Sequence, residues 1–155
     1  MFASSLQEQN KALAKRAFEE LLSKGQFELA EQFYAKDFLN HGIHRDITFN
    51  EDQDFLRGWH QAFPDLSIAP DKLIADGDLV AVYWIARGTN TGAGNGLPAT
   101  GKKVEQSGIT IWRIVDGKIK EEWSAFDQLS MMKQLGLLDQ KGSGAAATDA
   151  PDKKE

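Results

Sequence analysis

Two turn signals in the second half of this 155-residue chain constrain its fold more than any other feature. Asp76-Gly77-Asp78 and Asp116-Gly117 each sit between runs of β-branched and aromatic residues. Asp-Gly in that setting marks a hairpin, because a two-residue loop needs residues that tolerate positive φ. The runs predict strands over 66–75, 79–91, 104–115 and 118–126, with Pro70 weakening the alternation of the first. Residues 91–101, with Gly92, Gly94, Gly96 and Pro98, read as a loop between the second and third strands. They lack the Gly-Lys-Ser/Thr ending and the following helix that a phosphate loop requires.

The first half has the other period. Leu13, Ala17 and Leu21, supported by Ala14, Phe18 and Leu22, form a stripe at helical spacing and predict a helix over 9–23, stopped by Lys24-Gly25. A second short helix is expected over 27–34, an extended piece over 37–41 and a loop to Thr48. A third helix is expected from Asn50, capped by that residue with Gln53 three positions on, its apolar face made by Phe55, Leu56, Trp59 and Phe63, and ended by Pro64. A closing helix follows over 128–135, stopped by Gly136.

Helices first and hairpin-linked strands later predict an α+β domain: a curved antiparallel sheet with the N-terminal helices on one face. A twisted sheet curled round helices leaves a hollow between the layers, where pockets with apolar walls form. One domain is expected over residues 1–140. Residues 141–155, poor in bulky apolar side chains, read as a disordered tail. Hydrophobic content of 41% and charged content of 26% are globular values. A net charge of −5 argues against a nucleic-acid binder and gives no attraction to anionic membrane. The absence of cysteine excludes thiolate catalysis and disulfides. With neither a signal-peptide pattern nor a membrane-length apolar run, a cytoplasmic protein is expected.

Lys118 to Asp127 carries the chemical proposal. Strict alternation along one strand puts Ile119, Glu121, Trp123, Ala125 and Asp127 on one face. A carboxylate beside an indole in apolar surroundings has its pKa raised towards the range useful for proton transfer. The same Asp127 also stands where the N-cap of the closing helix belongs, and capping would lower its pKa instead.

The order of these motifs resembles the SnoaL-like polyketide cyclases (ester cyclases) of the nuclear-transport-factor-2-like superfamily. The likeness rests on Ala17-Phe18-Glu19-Glu20-Leu21-Leu22, on Tyr34 to His41, on Phe63-Pro64-Asp65-Leu66, on Gly88 to Gly92 with Leu97 to Lys102, and on Asp116-Gly117-Lys118-Ile119 with Glu122, Trp123 and Asp127. It spans Lys11 to Leu138 and departs at Ala93-Gly94-Asn95-Gly96, where the family often has a bulkier residue. The resemblance implies a cone-shaped α+β barrel, a homodimer and cofactor-independent acid–base chemistry that closes a ring by intramolecular aldol condensation. It assigns the acid to Asp127 and places a pocket residue at His41.

Around Asp127 the expected site contains Trp123 to stack on a flat substrate, with Trp59 and Phe63 in the wall. His60 either reaches the pocket mouth or, as is commoner for a half-buried histidine, bonds a backbone carbonyl. Asn40, His41 and Gln106 bind carbonyl oxygens, Gln106 as an amide donor, and His41, which titrates near neutral pH, is the candidate second acid or base beside Asp127. His41-Gly42-Ile43-His44 with Asp46 is not read as a metal site, since no helix frames it. Metal and cofactor are both expected to be absent. The substrate class is an apolar carbonyl compound. An isomerase or hydrolase on the same fold, or a non-catalytic binding module in which Asp127 only caps a helix, are the alternatives.

Overall fold

The computed structural model describes residues 2–138; the expected tail lies outside them. Helix α1 (Phe2–Arg16) runs without a break into a π-helical segment, Ala17–Ser23, which ends at Lys24 and Gly25. The helix begins well before residue 9 because its first turns are polar and carry no stripe to announce them. A 3-10 turn (Phe27–Leu29) and the short helix α2 (Ala30–Phe33) lead into β1 (Tyr34–His41). A short strand β2 (Asp46–Thr48) replaces part of the expected loop and folds back antiparallel on β1. Helix α3 (Phe49–Ala62) follows. Its N-cap is Thr48 rather than Asn50, and the Glu51 carboxylate accepts from the Thr48 amide at 2.9 Å and from its hydroxyl at 3.0 Å.

The four long strands are β3 (Ser67–Asp76), β4 (Leu79–Thr89), β5 (Lys103–Val115) and β6 (Lys118–Phe126), and α4 (Gln128–Leu135) closes the chain. Asp116 and Gly117 both have positive φ (51° and 71°), as the tight β5–β6 hairpin requires. Gly136 ends α4 in the left-handed conformation, φ 71°. The expected strands, hairpins and closing helix are all present.

The six strands form one sheet in the order β2-β1-β6-β5-β4-β3. It is mixed, not wholly antiparallel: β1 runs parallel to β6, while every other neighbouring pair in the sheet is antiparallel. It is open, since β2 and β3 do not pair. On the concave side Phe18, Leu21, Tyr34, Phe38, Val80, Val82, Trp112, Ile114 and Ile119 form the main core, each under 5% exposed. The loop 90–102 lies against α3. A side chain at Gly94 would meet the Gly58 carbonyl oxygen at 2.1 Å and one at Gly92 the Gln61 carbonyl oxygen at 2.0 Å, so these two glycines are what let this loop approach the helix.

One irregularity decides the chemistry. Arg113 pairs with Glu121 while Ile114 pairs with Ile119, so Lys120 is an extra residue opposite no partner. This β-bulge reverses the alternation of β6. Ile119 faces the core before the bulge; after it Glu122, Ser124 and Phe126 face inward, and Glu121 and Trp123 face outward.

Candidate active site

A cavity of about 370 Å³ lies between the sheet and the helices. Its walls are mainly apolar: Phe18 and Leu22 from the π-helical segment, Leu56 and Trp59 from α3 with Phe63 at its C-cap, Ile68 from β3, Trp84 from β4 and Phe126 from β6. Among these walls converge two carboxylates, Asp52 of α3 and Glu122 of β6.

The side chain of Asn40, on β1, ties the two acids together. Its Nδ2 donates to Asp52 Oδ1 at 3.0 Å and to Glu122 Oε1 at 3.3 Å. Glu122 also accepts from Trp112 Nε1 at 2.7 Å and from the Ser124 hydroxyl at 2.6 Å. Behind Ser124 stands Thr110, 2.9 Å away, which accepts from Trp84 Nε1 at 3.1 Å. Two indoles, two hydroxyls and an amide thus hold the acids in fixed positions in an apolar surround.

Burial and the neighbouring Asp52 charge push Glu122 up from the ordinary 4.5 to about 7, against the pull of its bonds to Ser124 and Trp112. Asp52 is raised as well, by burial, with the Asn40 amide drawing it back. The phenol of Tyr34, in the same wall, is held well above its usual value by burial and then by the charges of Glu122 and Asp52. The two carboxyls interact, so their titrations are linked, and burial holds a proton on Glu122 towards neutrality.

A stability consequence follows from the sign of the Glu122 shift. Between 4.5 and about 7 the folded state binds a proton that the unfolded state has released, so this group's contribution falls as pH rises through that window and is flat above it. Chemical denaturation across the window should show the wild type losing stability relative to Glu122→Gln as pH rises. A difference independent of pH would contradict the shift.

The comparisons agree with this architecture. A family model described as SnoaL-like polyketide cyclase matches residues 12–135. The chain belongs to the SnoaL-like polyketide cyclase family. Among solved structures, a candidate SnoaL-like polyketide cyclase from Jannaschia sp. CCS1 superposes with a TM-score of 0.77 at 20% identity, over 85% of this chain and 94% of the other. IdmH, a candidate polyketide cyclase from Streptomyces antibioticus, gives 0.72 at 25% identity over 83% and 99%. AclR, a candidate hydroxylase from Streptomyces galilaeus, gives 0.73 at 24% identity over 85% and 87%. No curated protein matches by sequence.

Within this SnoaL-like chain the expected residues divide into two groups. Asn40, Trp59, Phe63 and Gln106 line the cavity. Asp127 does not. Strand β6 ends at Phe126, and Asp127 is the exposed N-cap of α4, its Oδ1 accepting from Ser130 N at 2.9 Å. Its carboxylate serves the helix amides, as the capping alternative required. His41 and Trp123 are on the outer side of the sheet, stacked at 5.0 Å between ring centroids. There His41 bridges Asp46 and Glu121, each at 2.9 Å, and those bonds raise its pKa. His60 is turned from the cavity: its Nε2 lies 2.7 Å from the Leu22 carbonyl and its ring meets Phe27 edge-on, clamping α3 to the end of the π segment.

The acids that do meet were not singled out by the sequence reading. Asp52 had a signal, since it stands four, seven and eleven residues before Leu56, Trp59 and Phe63, on the apolar stripe of α3. Glu122 had none, because a bulge leaves no mark in the order of residue types. Among the described residues no group of three or more His, Asp or Glu is placed to hold a metal ion, and no helix is long and apolar enough to cross a membrane.

Proposed function

We propose that this SnoaL-like protein is an acid–base enzyme that moves a proton at a carbon next to a carbonyl, with the Asp52–Glu122 pair as its catalytic residues. The observation that carries this reading is two carboxylates sharing the Asn40 amide inside an apolar cavity. With one proton between them, the ionised carboxyl removes a proton from the activated carbon. The protonated carboxyl donates to the oxygen on which negative charge develops. In ring closure the resulting enol carbon bonds to a second carbonyl carbon; the enol O–H returns its proton to the ionised carboxyl as the first carbonyl re-forms, and the protonated carboxyl delivers its proton to the second oxygen as the alcohol forms. The pair ends with the same proton count. None of these steps calls on a cofactor.

Ketone isomerisation uses the same groups, and the un-ionised Tyr34 phenol beside both acids favours it as the second reading. Either reaction begins with the same carbon acid. The direct test is exchange of the α-protons of 2-tetralone in heavy water, followed by proton NMR. Exchange above background, with a pH dependence set by a group near 7, is expected. Exchange at the buffer rate would overturn the proposal.

The outer face of the sheet supports a homodimer. Tyr83, Ile109 and Ala125 lie abreast there, and Ala81, Ile111 and Trp123 form the next row. Ile109 is 48% exposed. An apolar face of this kind is suited to an identical copy. Ile109→Glu is expected to convert dimer to monomer in light scattering; an unchanged mass in the variant would refute this placement.

A further inference from the structure

The register of the sheet lays out a line of hydrogen bonds behind Glu122. Across β5 and β6, Trp112 pairs with Glu122 and Thr110 with Ser124. Across β4 and β5, Trp84 pairs with Gly108, the inward position before Thr110. A side chain at Gly108 would meet the Trp84 ring at 2.3 and 2.7 Å, so the indole lies over bare backbone and its Nε1 reaches Thr110 beyond, at 3.1 Å. Phe126, which pairs with the same glycine, packs on the indole at 6.3 Å between ring centroids. Gln106, the inward residue before Gly108, takes no part. Its Nε2 donates to the Asp127 carbonyl at 2.9 Å, so the amide donor expected for a substrate is spent inside the protein.

We propose that Trp84 and Thr110 are positioning residues that fix the Ser124 hydroxyl as a donor to Glu122 and so hold down the proton affinity of that acid. This rests on the reading above of Glu122 as a catalytic acid–base group. The direction of the line is set at both ends. An indole N–H only donates, so Thr110 accepts from Trp84 and has one proton left to give. An ionised carboxylate only accepts, so Ser124 spends its proton on Glu122 Oε1 and must accept from Thr110. Trp84, Thr110, Ser124 and Glu122 thus form a one-way line in which each bond strengthens the next. A proton on Oε1 would force Ser124 to turn round and would break the line, so the line favours the ionised acid. Asp52 from α3 and Tyr34 from β1 are the other titratable groups that face Glu122, while Glu121 on the same strand faces outward to His41 and Arg113. Among the described residues the Thr110 hydroxyl bonds Trp84 and Ser124 and none of these charged groups, so a change at Thr110 reaches Glu122 through Ser124.

The test follows the Glu122 carboxyl across pH by carbon NMR on isotope-labelled glutamate, its resonance assigned by its loss in Glu122→Gln, beside the pH profile of 2-tetralone exchange. Thr110→Val keeps the shape of the side chain and removes the hydroxyl. Its Glu122 midpoint is expected to rise by about half a unit to one unit, and the exchange profile should move with it. Thr110→Ser restores the hydroxyl and should return the midpoint to the wild-type value. A midpoint unmoved in Thr110→Val, or moved as far in Thr110→Ser, would overturn the proposal alone. A midpoint that moves as expected while the wild type exchanges no protons would sustain the line and overturn the acid–base reading. If Thr110→Val does not fold, Trp84→Phe decides, since it removes the first donor and leaves both hydroxyls. A raised midpoint in that variant sustains the proposal, and an unchanged one refutes it.

Discussion

Glu122→Gln is expected to lower the rate of α-proton exchange by about 10²- to 10⁴-fold, the range for loss of a positioned proton-transfer group. The substitution keeps the shape of the side chain; Trp112 donates to one carboxylate oxygen at 2.7 Å and Ser124 to the other at 2.6 Å, so the amide oxygen keeps the Trp112 bond and the Ser124 hydroxyl turns to accept from the amide nitrogen. Ligand affinity should therefore change little while turnover collapses. Exchange is read on the ketone by NMR, and binding on the same protein by fluorescence. Retention of full rate would remove Glu122 from the mechanism. The group near 7 should vanish from the pH profile as well, since the amide that replaces the carboxyl does not titrate.

Phe18→Ala is expected to cost about 3–5 kcal/mol of stability. Phe18 lies in the π-helical segment, 1% exposed, with its ring centroid 5.0 Å from that of Trp112. It belongs at once to the main core and to the wall of the cavity. Truncation removes the ring from contact with Trp112 and enlarges a hollow that already exists, so little of the loss is recovered by collapse. Urea denaturation measures the change, and a fall in melting temperature of about 10 °C should accompany it. A loss under about 1 kcal/mol would mean that the helix closes over the gap, and that the π segment is not held in place by this ring.

Much of the fold was legible because each element carried its own local signal. Asp116-Gly117 fixed one hairpin through its positive φ angles, Gly136 fixed the end of α4, and the stripe from Leu56 to Phe63 fixed the buried side of α3. The parallel pairing of β1 with β6 was not legible, because contacts between strands so distant in sequence leave no periodicity in either. The site divided along the same line. Trp59, Phe63 and Gln106 reach the cavity from elements whose facing was regular, and Asn40 reaches it from β1, whose register on β6 shifts between Tyr34 and Leu39. Trp123 and Asp127 were carried to it only by assuming that β6 alternates without interruption from Ile119 onward. Lys120 breaks that alternation, and Asp127 lies past the end of the strand. His41 misleads for a different reason: it sits one residue beyond Asn40, and adjacent strand residues point to opposite sides. His60 shows that a polar residue on a helix can be bonded to a neighbouring carbonyl without serving any ligand.

The extra residue at Lys120 also bears on how such proteins diverge. One inserted or deleted amino acid at that point is enough to exchange an interior of Glu122, Ser124 and Phe126 for one of Glu121 and Trp123, with the rest of the polypeptide untouched. Letters that line up between two relatives along this segment can therefore stand on opposite sides of the wall. Equivalence of a reactive group between them has to be counted from Trp112, its lateral neighbour, and not from the hairpin tip.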